Sequence, residues 1–99
     1  MPVKVLRVIN GQAIMAMVSG EQKILQIARI CTPFPDTIGW MNFSEKARQY
    51  ISDMTLGREV RIEFDAKGHA EVYFVAIGSD DELNLSDQMI KSGLAFPSA

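Results

Sequence analysis

The sequence predicts an α+β domain: a five-stranded β-barrel carrying two or three helices. Three observations lead there. Short apolar, β-branched runs separated by tight-turn signals fill the first third of the chain. A stretch with apolar residues at helical spacing follows in the middle. Two more strand-like runs and a shorter helical segment complete it. A chain of 99 residues holds one core, so residues 1–99 are read as a single domain.

Residues 3–9 are apolar and β-branched with charges interspersed, which suits a strand. Asn10-Gly11 follows, a strong tight-turn signal. Ala13–Val18 is the second strand, turned by Ser19-Gly20, and residues 23–30 are the third. Residues 31–42 form a loop holding Pro33, Pro35 and Gly39. A helix follows with Ser44 as its N-cap, since a hydroxyl there can accept a bond from an orphan amide. Ala47, Tyr50, Ile51 and Met54 recur at i, i+3, i+4 and i+7 and define its buried face. Gly57 suits the left-handed position that ends a helix.

Glu59–Phe64 alternates strictly, the mark of a half-buried strand. Asp65-Ala66-Lys67-Gly68 turns the chain into a fifth strand over residues 71–77. Residues 78–82 form an acidic loop, and residues 86–92 a short helix capped by Gly93. Leu94 and Phe96 are expected to fold back onto the core. Five strands with a helix between the third and fourth is the element order of an OB-fold, a partly open Greek-key barrel.

Composition narrows the function. Apolar residues are 47% and charged residues 22% of the chain, which fits a folded domain and not a disordered one. Ten basic against twelve acidic side chains give a net charge of −2. That balance excludes a generally basic nucleic-acid coat and a polybasic membrane binder, but leaves room for a local basic face. One cysteine excludes an intrachain disulfide framework and a cysteine-based zinc cluster, and one histidine excludes a histidine-rich metal site. No apolar run approaches the ~18 residues of a membrane span. The charged amino end is not read as a secretory signal. A lone thiol fits a reducing compartment, so a cytoplasmic location is expected.

Several short segments, taken in order, resemble the staphylococcal nuclease family. Val8-Ile9-Asn10-Gly11-Gln12-Ala13-Ile14 is similar to that family's V-I-D-G-D-T-I turn, and Ile30-Cys31-Thr32-Pro33-Phe34 to its V-D-T-P-E. Ser44-Glu45-Lys46-Ala47-Arg48 and Leu56-Gly57-Arg58-Glu59-Val60 resemble its E-A…L-x-G-K-x-V helix and strand. Gly68-His69 stands where the family has Y-G-R, and residues 89–95 look like L-V-R-x-G-L-A. The resemblance implies an OB-type barrel. It also implies Ca²⁺-dependent phosphodiester hydrolysis, in which carboxylates hold the ion, a glutamate activates water and two arginines stabilise the phosphorane.

Position by position, the catalytic set is missing. The family's two metal aspartates correspond to Gln12 and Cys31, its glutamate to Phe34, and its two phosphate arginines to Gln26 and His69. Only Thr32 keeps the family residue. An amide, a thiol and a threonine bring no formal charge to offset the dehydration of Ca²⁺, and Phe34 cannot move a proton. Loss of both guanidinium groups removes a bidentate phosphate clamp. Each departure is expected to cost on the order of 10²-fold in rate. The expectation is a catalytically inactive module without metal or cofactor, binding nucleic acid or a protein partner through the barrel face and the loop at 31–43. Two alternatives stand beside it. One is a small regulatory protein acting on a larger complex. The other is a nuclease with a relocated site at Asp36 or Asp65, or metal-free chemistry around Cys31 and His69.

The candidate ligand-binding residues are Arg29, Phe34, Trp40, Met41, Lys67 and His69. Phe34, Ile38, Trp40, Met41 and Phe43 form an aromatic-rich cluster that is either a stacking platform or a plug in the barrel mouth. Arg7, Lys23, Arg29, Arg58, Arg61 and Lys67 form either a basic stripe or ordinary solvated charge. Cys31 reads as an inert buried thiol, and Met15, Met17, Met54 and Met89 as core filler.

Overall fold

The Asn10 side chain starts the fold. Its Oδ1 accepts the N–H of Gln12 at 2.8 Å and bends the chain from strand β1 (Pro2–Asn10) into β2 (Ala13–Val18). The computed structural model describes residues 2–31, 40–76 and 78–97, and for residues 40–44 the backbone alone. At the next turn Ser19 and Gly20 both take positive φ, 52° and 83°, the pair of left-handed conformations that a two-residue hairpin uses. It delivers β3 (Glu21–Gln26) in unbroken register with β2.

Beyond β3 come β4 (Ile30–Cys31), helix α1 (Trp40–Thr55), β5 (Glu59–Phe64), β6 (Ala70–Val75), β7 (Glu82–Asn84), helix α2 (Leu85–Lys91) and β8 (Phe96–Pro97). Among the described residues β3-β2-β1-β5-β6-β7 make one antiparallel sheet, and β4 pairs with β8 in a separate ribbon. Val5, Ile14, Ile27, Ile51, Ile62, Val72, Leu85 and Met89 are the largest apolar side chains fully shielded from solvent. α1 lays Ala47 and Ile51 on this core, with Tyr50 and Met54 at its margin, as the helical spacing predicted. At its end Gly57, φ 74°, donates its N–H to the Val5 carbonyl at 2.9 Å and steers the chain into β5. No helix among the described residues is long and apolar enough to cross a membrane.

The described residues form an open sheet of six strands, where the sequence predicted a partly open five-stranded barrel. The reason lies at Arg29. Its φ of 65° is left-handed, which turns the chain out of the strand expected over residues 23–30. β3 therefore stops at Gln26, and Ile30–Cys31 pairs with Phe96–Pro97 instead. The ends of β3 and β6 meet at a single parallel bridge, Ile27 to Ala70, where the Ala28 N–H donates to the Ala70 carbonyl at 2.8 Å. β7 extends the far edge from Glu82, the last residue of the expected acidic loop, through Asn84.

Smaller corrections follow from local chemistry. α1 begins at Trp40, so Ser44 lies inside the helix and not at its N-cap position; no glycine or proline interrupts residues 40–55. The cap of α2 is Asn84, whose Oδ1 accepts the Asp87 N–H at 3.0 Å. Leu94 packs against the core, but Phe96 is exposed because β8 pairs at the rim. Met89 is core and Met54 borders it, whereas Met15 and Met17 sit half-buried on the outer face of β2. Cys31 is exposed, on the two-residue β4 at the sheet's margin.

Candidate functional site

A cleft of about 230 Å³ opens between the end of β3 and the β5–β6 turn. Gln26, Arg29 and Ile30 form one wall; Asp65, Ala66, Lys67 and His69 form the other. The turn is built by Asp65. Its Oδ1 accepts the N–H groups of Lys67 and His69, both at 2.9 Å, while its own N–H donates to the His69 carbonyl at 2.9 Å. Gly68 takes φ 79° there and donates to the Asp65 carbonyl. Partial desolvation pushes the Asp65 carboxyl up, but the N–H groups of His69 and Lys67 outweigh it. The net value is below the ordinary carboxylate range, so this wall carries an anion at neutral pH.

The opposite wall is set by an ionic knot. The Arg29 guanidinium donates from Nε to Glu71 Oε2 at 2.5 Å and from Nη2 to Glu71 Oε1 at 3.0 Å. Nη2 also reaches Asn84 Oδ1 at 3.1 Å and Asp87 Oδ1 at 3.0 Å. Asn84 Nδ2 returns a bond to Glu71 Oε1 at 3.2 Å. The hydrogen bond from Arg29 is the main reason that Glu71 titrates below its ordinary value. The same contact holds Arg29 charged well beyond its ordinary range. Beneath the knot, the buried Ser86 hydroxyl donates to the Ala28 carbonyl at 2.6 Å and ties α2 to the end of β3.

Five of the residues singled out from the sequence, Gln26, Arg29, Asp65, Lys67 and His69, thus meet around one opening. Gln12 does not line it; its carbonyl accepts the Ile27 N–H at 2.8 Å behind the β3 wall. Trp40 and Met41 open α1 and belong to no loop. Thr32, Phe34, Asp36 and Ile38 lie outside the described residues. The readings placed on Glu71, Asn84, Ser86 and Asp87 were absent altogether. Their contacts with Arg29 and Ala28 span 42 to 58 residues, beyond the reach of any local pattern. The one local signal that could have found any of them is an asparagine at Asn84 three residues before Asp87, the spacing of a capped helix start, and the sequence reading began that helix at Ser86 without it.

Three other arginines are committed elsewhere. Arg61 donates to Glu82 at 2.7 and 3.2 Å and to Glu63 at 2.9 Å, and lies 4.1 Å over the Tyr73 ring. Arg58 donates to the carbonyls of Met54 and Val75. Arg48 pairs with Glu45. The resemblance implied calcium, and the residues here do not fit that ion. The corresponding donors are an amide at Gln12 and an exposed thiol at Cys31, and among the described residues no three His, Cys, Asp or Glu side chains gather. The cleft offers an amide, a carboxylate, an ammonium and an imidazole, which is hydrogen-bonding and polar-recognition chemistry. No protein-family model matches this chain, and no curated protein does.

Proposed function

We propose that this chain is a catalytically inactive, staphylococcal nuclease-like module of OB type that binds a protein partner through the cleft beside β3. The barrel reading draws support from the strand order β3-β2-β1-β5-β6 together with the parallel bridge from Ile27 to Ala70, the contact that would seal a partly open Greek-key barrel. The binding reading rests on one observation: the guanidinium nearest the cleft, Arg29, is already held by Glu71, Asn84 and Asp87, while Asp65 sets a carboxylate on the facing wall. A polyanion entering there meets one anion and no available arginine fork. A polypeptide, which carries donors, acceptors and charges of both signs, is the better match.

A second reading, single-stranded nucleic acid, is favoured by Lys67 and His69 beside Gln26 in the same cleft. Fluorescence of Trp40, the sole tryptophan, titrated with short single strands at low salt separates the two. The protein reading expects no saturable change. A saturable change that weakens steeply with added salt would replace it with nucleic acid. In parallel, a Lys67→Glu, His69→Ala variant is expected to lose the partners that wild-type protein retains from its host, with thermal unfolding unchanged.

A further inference from the structure

Among the described residues, strand β3 presents a bare edge. Its register with β2 pairs Val18 with Glu21 across the two-residue turn, so Glu21, Lys23 and Leu25 spend their main-chain groups on β2. The Ile27 N–H bond to Gln12 keeps the same phase. Gln22, Ile24 and Gln26 therefore point their N–H and C=O groups away from the sheet, and nothing among the described residues accepts or donates to them. Further along, Ala28 uses its outward N–H on β6, so the free stretch ends there.

Edges of this kind are normally guarded by a proline, a bulge or an unpaired lysine. Here there is no proline, and the register with β2 has no shift. Lys23 is offset by Glu21, whose carboxylate lies 4.0 Å from the ammonium. Ile24 is 65% exposed, the most exposed large apolar side chain in the described chain. The charges are also self-complementary. Glu21 and Lys23 flank Gln22 symmetrically, so reversing the strand about Gln22 sets acid opposite base on both sides.

We propose that two copies of this chain pair antiparallel along β3 about a two-fold axis at Gln22, with each Glu21 opposite Lys23 of the partner subunit. At the axis, Gln22 and the partner's Gln22 exchange two main-chain hydrogen bonds. The neighbouring pairs lie in the closer, non-bonded positions where opposite charges interact best. Ile24 comes to rest over the partner's Gly20 turn. A pairing shifted toward Gln26 would set the partner's Gly20 turn against Ala28, whose outward N–H is already spent on the Ala70 carbonyl, which selects the Gln22 axis. The contact is shorter than a standard interface, so association is weak and concentration-dependent.

Sedimentation of the whole chain from about 10 µM to about 1 mM, the range suited to a small interface, reads this directly. The expected result is a monomer–dimer equilibrium. Lys23→Glu places like charges opposite each other twice and is expected to weaken it at least about tenfold. The swap Glu21→Lys with Lys23→Glu is expected to restore it. In a Cys31→Ser background, Gln22→Cys is expected to form an interchain disulfide on mild oxidation. Ile24→Cys is expected not to, being ~13 Å or more from its mate along the strand. All these side chains are exposed, so unfolding temperature serves as the control for folding. A monomer throughout the range, indifference to Lys23→Glu, or Ile24→Cys crosslinking as readily as Gln22→Cys would each overturn the proposal.

Discussion

Replacing Arg29 separates what its side chain does from what its backbone demands. In Arg29→Ala the bidentate pair with Glu71 and the bonds to Asn84 and Asp87 disappear. Exposed pairs contribute only about 0.2–1 kcal/mol each. Glu71, however, is just 19% exposed and lies directly opposite Glu63 in the β5–β6 register. Stripped of its main donor, it keeps one amide contact and faces a like charge, a loss of about 1–3 kcal/mol for a desolvated group. The sum expected for Arg29→Ala is about 2–3 kcal/mol. Arg29→Gly removes the same side chain but accepts φ 65° without the Cβ clash, and should recover about 1 kcal/mol of that loss. Urea unfolding followed by far-ultraviolet circular dichroism measures both; each kcal/mol also displaces the thermal midpoint by roughly 4–8 °C in a domain of this size. An alanine variant as stable as wild type, or a glycine variant less stable than the alanine one, would refute the reasoning.

Other expectations rest on single contacts. Ser86→Ala deletes a fully buried hydroxyl bonded to the Ala28 carbonyl and should cost about 1–3 kcal/mol in the same unfolding assay, loosening the join between α2 and β3. Glu71 has a folded-state value below its ordinary 4.5, so its contribution is fully present above that pH and is lost as pH falls through the folded value. The stability gap between wild type and Glu71→Gln should accordingly be constant near neutrality and close in acid; a gap that widens in acid would reverse the sign of the argument. Ile51→Ala empties a fully buried site under α1 and should cost about 2–5 kcal/mol in urea unfolding. Gly57→Ala meets no steric neighbour but must hold φ 74°, and should lose about 1–2 kcal/mol on that account alone.

The parts of the fold visible in the sequence were those governed by neighbours in the chain. Ala13–Val18 has the boundaries that its flanking turn signals predicted and Glu59–Phe64 those that its alternation predicted, and the face of α1 follows the spacing of Ala47, Tyr50, Ile51 and Met54. The Asp65 turn formed as its residues predicted because each of its bonds closes within four residues. The third strand was misread because its apolar run continues smoothly through Ile30. The interruption at Arg29 is imposed by Glu71, Asn84 and Asp87, which lie far ahead in the chain. The same kind of contact hid β7, a three-residue strand starting at the last residue of the expected acidic loop and defined only by its pairing with β6. At the cleft, the residue types of Gln26, Lys67 and His69 marked the place. That Arg29 is spent on its own chain was not visible, and that fact decides which ligands the cleft suits.

The proposed module binds a partner and cleaves no phosphodiester. Calorimetric titration of the purified chain with calcium, run beside a strand-scission assay with and without chelator, tests this most directly. No saturable heat and no cleavage above the chelated control are expected. Tight calcium uptake accompanied by chelator-sensitive scission would contradict it.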